Sequence, residues 1–185
     1  MTPRIPPIPP GEWPPEMRAA VAALRVENPR HPILTTEGDR PKALNALGTL
    51  AHHPRLTEAY HRFVGHLLYG TTLDLRTREL VILRVAALRQ CEYEWMQHVV
   101  IGGDVGLTDE EIVAARGPAN TPLLRAVDEL LDSARISDDT WDALELDTQQ
   151  RMDLVFTVGA YDLLAMAFLT FGVPVDADLM AWKRQ

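Results

Sequence analysis

Hydrophobic residues recur along this chain at three- and four-residue spacing, which is the period of an α-helix. The pattern starts after Pro14 with Met17, Val21 and Leu24 and continues to a last apolar segment from Val155 to Val175. No convincing alternation of apolar and polar residues, the sign of a half-buried strand, interrupts it. The sequence therefore predicts an all-α helical bundle with roughly eight helices of unequal length.

Residues that begin and end helices support this interpretation. Proline in the first turn or a side chain that can cap it indicates helix starts, in chain order, at Pro14, Pro41, Pro54, Asp74, Thr108, Thr121, Ser137 and Asp147. Between Asp74 and Thr108 we expect one helix carrying Glu79 through Leu88 and a second from about Glu92 to Val105. Gly106 would stop the second helix, and Gly172 the last long one.

The first fifteen residues form a separate segment, because seven of them are proline. Proline at this density favours an extended, polyproline-like arm and prevents a helix before Pro14. We therefore divide the chain into an arm, residues 1–15, and a single helical domain, residues 16–185. The arm is either a disordered tail or a segment that docks on a neighbouring subunit, and we favour docking.

Composition narrows the class of function. A net charge of −8 and a pI near 5.2 argue against nucleic acid or an anionic membrane surface as the main partner. Lysine occurs only at Lys42 and Lys183, so phosphate-loop and Schiff-base chemistry have no well-placed residue. A lone cysteine, Cys91, allows no intrachain disulfide and fits a reducing cytoplasm, and the proline-rich start does not resemble a signal peptide.

The apolar segment from Val155 to Val175 approaches the length of a membrane span. It contains Asp162, two threonines, two glycines and a proline, and no basic cluster flanks it. We expect a buried core helix and no membrane insertion.

One short stretch gathers groups capable of proton transfer. Cys91, Glu94 and His98 are spaced i, i+3 and i+7, so on a helix they fall within roughly one sixth of its circumference. Glu79 lies on the preceding predicted helix. Tyr93 and Trp95 flank the stripe, and apolar neighbours of this kind shift pKa values towards those useful in catalysis.

These residues resemble the carboxymuconolactone decarboxylase and alkyl hydroperoxidase D superfamily, whose site motif runs Glu, Cys, Cys, His on an all-helical fold. Glu79, Cys91, Glu94 and His98 occupy the four places, so a glutamate stands where the thiol branch has its second cysteine. A carboxylate cannot resolve an oxidised thiol, and the two-cysteine mechanism is excluded. The segment around Glu94 instead resembles the decarboxylase branch. The resemblance covers mainly residues 43–106.

The resemblance implies cofactor-free acid/base chemistry on a small carboxylated lactone or related acid, in a homo-oligomer, either a trimer or a hexamer. His98 and Glu94 would be the acid/base pair, in either assignment. Glu79 would hold His98 in one tautomer or relay a proton, and Tyr93 and Trp95 would form the pocket wall or contact the substrate.

Two other functions stay open at this stage. Cys91 could act as a one-cysteine peroxidase or redox sensor, although a free cysteine is most often a buried hydrophobe. The chain could also be a non-catalytic, oligomeric ligand-binding protein. A metal site is not expected, because His52, His53, His61 and His66 lack the spacing of paired ligands and suit packing and capping better.

Overall fold

Helices account for all the regular structure in the computed structural model, which describes residues 2–32 and 42–182. Ten α-helices occur there: α1 (Met17–Ala22), α2 (Leu44–Leu50), α3 (Pro54–Gly65), α4 (Leu75–Leu88), α5 (Glu92–Asp104), α6 (Asp109–Ala114), α7 (Pro122–Ser133), α8 (Asp138–Ala143), α9 (Thr148–Phe171) and α10 (Ala177–Trp182). A 3₁₀ turn (Pro10–Glu12) and a π-helical turn (His66–Gly70) complete the set. The all-α prediction is confirmed, and α10 is a helix that the sequence pattern did not indicate.

The predicted capping residues act at the helix ends. Asp74 accepts a hydrogen bond from the Thr77 backbone N–H at 3.0 Å, and Thr108 forms a capping box with Glu111. The φ angle of Gly106 is +85°, a conformation that favours glycine and ends α5 close to the expected place. The helix start predicted at Pro41 lies outside the described residues.

Contacts divide the chain into two compact units, one of Met1–Thr71 with Ala167–Gln185 and one of Thr72–Met166. The single domain expected from residue 16 onwards stays a prediction. In the second unit, α4 packs against α5, α6 and α7. The middle of α4 is buried, apolar and charged side chains alike, from Arg78 and Glu79 to Ala86, so its buried polar groups must find partners inside the unit.

The proline-rich arm lies on its own chain, within the first unit. The backbone N–H groups of Arg4 and Ile5 donate to Phe171 O at 2.8 and 3.2 Å, and that of Ile8 donates to Gly48 O at 3.1 Å. Ile8 and Trp13 also pack against a small apolar cluster formed by Met17 and Ala20 of α1 and by Ala51 at the end of α2. The arm is therefore docked, but on its own chain, and the disordered tail that composition allowed is not observed.

Helix α9 is buried on one face only. Leu154, Val158 and Ala165 are at most 2% exposed, whereas Phe156 and Leu163 are each 52% exposed. By length and composition α9 could cross a membrane, with a mean hydropathy of 1.8 over 18 residues, but core helices of soluble proteins share this composition. The predicted core helix thus has an uncovered apolar face, and homo-oligomerisation stays a prediction.

The close approach of the arm to α2 yields a test. A methyl group added at Gly48 would lie 2.5 Å from Ile8 O, so Gly48→Ala should lower the free energy of unfolding by about 1–3 kcal/mol. Gly103→Ala is the matched control, because a Cβ there meets nothing within 4 Å and alanine favours a helix by up to about 1 kcal/mol. Chemical denaturation measures both, and equal unfolding midpoints for Gly48→Ala and the native chain would contradict the arm's placement.

Candidate active site

A buried hydrogen bond joins α4 to α5 through Glu79 and His98. Glu79 Oε2 lies 2.7 Å from His98 Nδ1, and Glu79 is fully buried. The other carboxylate oxygen, Oε1, accepts from Arg78 Nε at 2.7 Å, with Arg78 Nη2 at 2.6 Å. The spacing of the motif predicted the contact between Glu79 and His98, whereas Arg78 was not expected to take part.

Electrostatics keep Glu79 ionised. Burial by itself would raise the pKa of Glu79, but the contacts with His98 and Arg78 outweigh it and hold that pKa below its ordinary range. A carboxylate can only accept, so the proton of this hydrogen bond sits on His98 Nδ1. In the neutral form of the imidazole this hydrogen bond leaves Nε2 unprotonated, and Nε2 can then act as a base.

The aromatic ring of Tyr161, on α9, fixes the other side of the imidazole. The two ring centroids are 5.0 Å apart and the planes meet at 87°, an edge-to-face arrangement. The His98 side chain retains 9% exposure. Its orientation is therefore set by a carboxylate on one helix and an aromatic ring on another.

Glu94 has a different environment, although it is on the same helix as His98. It is 2% exposed and both carboxyl oxygens lack a hydrogen-bond partner, because the neighbouring Cys91 thiol is a weak donor and forms no bond of normal geometry. Burial raises the pKa of Glu94 to about 8; interaction with the Cys91 thiol offsets part of this, and the negative charge of Asp162 adds to it. Glu94 is thus a neutral carboxylic acid at pH 7.

Cys91 immediately precedes α5 and is buried, with 1% exposure. Burial, reinforced by the Glu94 charge, raises the pKa of the thiol to about 12. The thiolate is the nucleophilic and oxidisable form, so Cys91 as placed here is a poor nucleophile at neutral pH.

Both the sequence and the fold of this chain resemble those of known proteins. The sequence pattern of the carboxymuconolactone decarboxylase family matches residues 54–129, which include Glu79, Cys91, Glu94 and His98. A crystal structure from Agrobacterium tumefaciens, of a protein of unknown function described as a candidate antioxidant defence protein AhpD, superimposes with a TM-score of 0.62. The identity is 18%, over 69% of this chain and 95% of that one, and shows a shared fold. No curated protein sequence matches this chain significantly.

The resemblance found in the sequence is thus confirmed over residues 54–129, which carry the pattern of the carboxymuconolactone decarboxylase family on an AhpD-like helical fold. The matched segment is shifted towards the C-terminus relative to the expected 43–106, and it extends through most of α7.

The predicted site residues fall into two groups. Glu79 and His98 are joined by a hydrogen bond. Glu94 lies beside Cys91 and makes no hydrogen bond to Glu79 or His98. Trp95 and Cys91 line a cavity of about 290 Å³, whereas Tyr93 is 4% exposed and is not part of its lining. The catalytic and substrate-binding roles of these six residues stay predictions.

The histidines of the N-terminal half have packing and capping roles. His53 accepts from the Leu56 N–H at the start of α3, and His61 Nδ1 lies 2.8 Å from Ala20 O. His52 Nε2 lies 2.9 Å from Pro6 O. Within residues 2–32 and 42–182, no three His, Cys, Asp or Glu side chains are grouped so as to hold a metal ion.

Several contributors to the site carried no clear motif signal. Arg78 has no motif signal, and Asp162 was noted in the sequence only as a charge in an apolar segment. Asp162 pairs with Arg89, whose Nε lies 2.5 Å from Asp162 Oδ1. The negative charge of Asp162 also raises the pKa of Glu94. Tyr161 has no signal beyond its position next to Asp162.

The raised pKa of Glu94 predicts a pH dependence of stability. Below about pH 4.5 the carboxyl is protonated in both folded and unfolded chains; between about 4.5 and about 8 only the folded chain holds the proton, so stability falls as pH rises. Glutamine does not ionise, so Glu94→Gln removes this pH-dependent loss of stability. The stability of Glu94→Gln relative to the native chain should therefore increase over that interval, by a few kcal/mol in total, and level off above pH 8.

Denaturant unfolding at a series of pH values measures this difference. Glu145→Gln, at an exposed position, is the control and should show no such trend. A stability difference for Glu94→Gln that is flat from pH 4 to 9 would contradict the assignment of a neutral buried acid.

Proposed function

We propose that this protein is a decarboxylase-like enzyme that uses acid/base chemistry, without a bound cofactor, on a small carboxylated lactone or related acid. The observation that carries the proposal is the pair of buried glutamates with opposite pKa shifts, one ionised beside an imidazole and one neutral. Pairs of titratable groups whose environments separate their pKa values are typical of acid/base sites. The family match is compatible with this reaction class and with the peroxidase alternative discussed below.

Glu94 is the proton donor in this proposal. Its pKa of about 8 keeps it protonated at neutral pH yet close enough to the working pH to transfer the proton readily. Both carboxyl oxygens are without a protein partner, so donation to substrate breaks no strong internal hydrogen bond. The sequence left the acid open between Glu94 and His98, and the pKa shift favours Glu94.

His98 is the base, and Glu79 is the residue that positions it. Glu79 Oε2 lies 2.7 Å from His98 Nδ1 and accepts its N–H, which leaves Nε2 as the proton acceptor. When His98 becomes an imidazolium, the same carboxylate stabilises the charge. Arg78 balances the Glu79 charge while His98 is neutral.

The proposed reaction balances with these groups alone. Cleavage of the bond between the substrate carbon and its carboxylate releases carbon dioxide and leaves the electron pair on carbon, delocalised into the lactone. Glu94 gives its proton to that carbon and recovers one from water. In an isomerisation, His98 Nε2 would remove a proton from one carbon while Glu94 protonates another, followed by return of the proton through solvent.

A one-cysteine peroxidase is the alternative that the superfamily suggests. Its nucleophile would be Cys91, whose pKa of about 12 leaves almost no thiolate at pH 7. The neighbouring Glu94 disfavours the thiolate further once it is ionised. The electrostatics of the site therefore favour proton transfer over thiol chemistry.

We also infer that the protein works as a homo-oligomer, a trimer or hexamer, on a small-molecule substrate in the cytoplasm. The exposed apolar side chains of α9, among them Phe156, Leu163 and Met166, support assembly, because a subunit interface would cover them.

Activity on candidate lactone acids tests the proposal. Carbon dioxide release should fall about 100-fold or more in Glu94→Gln, which loses the proton donor, and isomerisation should fall similarly in His98→Gln, which loses the base; both reactions should be unchanged in the control Glu145→Gln. Turnover that survives both site substitutions would contradict the proposal. Peroxide consumption that disappears in Cys91→Ser, with no carbon dioxide release, would support the peroxidase instead.

A further inference from the structure

We propose that Arg116 binds the carboxylate of the substrate, in the cavity beside Cys91 and Trp95. The inference rests on the proposed function for the class of ligand, a small carboxylic acid, and adds to it the residue that recognises the carboxylate. Neither the motif nor the family match singles out Arg116, which lies in the turn after α6.

The cavity has the size and lining of a small-ligand site. Its volume of about 290 Å³ is at the lower end of the range for such sites, about 300–1,000 Å³. Ala86, Ala87 and Leu88 supply an apolar wall, and Cys91 and Trp95 lie on the side of α5. Because the Cys91 thiol is protonated at neutral pH, this wall carries no negative charge from Cys91.

Arg116 is held in place while most of its donors remain open. Its Cζ atom lies 3.8 Å from the centroid of the Trp95 ring, so the guanidinium stacks on the indole face. Its hydrogen bond to protein is a 3.3 Å contact of Nη2 with Glu92, in a pair where both side chains are about half exposed. Such a pair is weak, and a guanidinium has five N–H donors, so a carboxylate can be bound in bidentate fashion.

Arg84 lines the same cavity but is fully engaged by the protein. Its Nε and Nη2 atoms each lie 2.6 Å from a different Asp128 carboxylate oxygen, and Nη1 donates to Ala115 O at 3.0 Å and Gly117 O at 2.5 Å. Those two carbonyls flank Arg116 in the chain. Arg84 therefore fixes the backbone that carries Arg116, and of the two arginines in this lining Arg116 has the donors left for a ligand.

The position of the cavity suits the proposed chemistry. Cys91 borders the cavity and also interacts with the Glu94 carboxyl, so it lies next to both. A small acid anchored at Arg116 would have its remaining atoms directed along Trp95 towards Cys91. That orientation brings the reacting part of the ligand to the side from which Glu94 delivers its proton.

Binding of one acid and its uncharged analogue tests the inference. The probe is 5-oxotetrahydrofuran-2-carboxylate, a small lactone acid, and its carboxamide is the matched neutral compound; titration calorimetry or ligand-observed NMR gives the dissociation constants. We expect the native protein to bind the acid, and Arg116→Gln to weaken this binding about tenfold or more while leaving that of the carboxamide unchanged. Arg116→Lys, which keeps the charge but loses the planar fork, should fall in between.

The controls separate this inference from the proposed function. Arg135→Gln removes a more exposed arginine outside the cavity, one that pairs with Asp138 on α8, and it should leave acid binding unchanged. Glu94→Gln should keep the affinity for the acid but lose turnover. If Glu94→Gln retains turnover, the proposed function is overturned, whereas the assignment of Arg116 as the carboxylate-binding residue is unaffected. Equal affinity of the native protein and Arg116→Gln, an equal loss in Arg135→Gln, or no binding of the acid at about 10 mM would overturn the assignment of Arg116.

Discussion

The ionised Glu79 carboxylate, buried between two partners, is the interaction on which the rest of the site depends. Burying a charge of this kind is costly unless it is paired, and here it is paired on both oxygens, by Arg78 from its own helix and by His98 from α5. Loss of the carboxylate would remove the ion pair with the Arg78 guanidinium, which is 1% exposed. Breaking a buried pair in this way typically costs about 3–5 kcal/mol.

The same interaction sets the chemistry of the neighbouring groups. Because Glu79 accepts a hydrogen bond from His98 Nδ1–H, the neutral imidazole has its basic nitrogen at Nε2, and the Glu79 charge is balanced by groups on α4 and α5. Within the described residues Glu94 has no cationic partner, and its interaction with the Cys91 thiol offsets only part of the effect of burial, so the pKa of Glu94 is raised. Two glutamates fifteen positions apart therefore differ in charge at pH 7 because one has cationic partners and the other does not.

Local rules explain which parts of this picture the sequence could predict. The caps at Asp74, Thr108 and Asp147 act over three residues, and the helical period places Glu94 and His98 on one stripe, so these features follow from short-range geometry. The contact of Glu79 with His98 spans two helices, and it was predictable because the family motif already encodes that pairing.

Long-range contacts explain the rest. Docking of the arm depends on Phe171 and Gly48, which are far from it in the chain, and proline content alone does not specify a partner. The negative charge of Asp162, on α9, raises the pKa of Glu94 on α5. Arg116 stacks on Trp95 from the turn after α6, whose backbone is held by Arg84. None of these distances can be read from periodicity or composition, which describe each helix separately.

The protonation state of Glu94 is the central claim, and it can be measured directly. Glutamate labelled with ¹³C at the side-chain carboxyl, assigned by comparison with Glu94→Gln, reports the ionisation of this one group by NMR as the pH is changed. The account predicts a carboxyl resonance that stays in the neutral form at pH 7 and titrates with a pKa of about 8. A resonance that titrates near the ordinary value of 4.5 would contradict it.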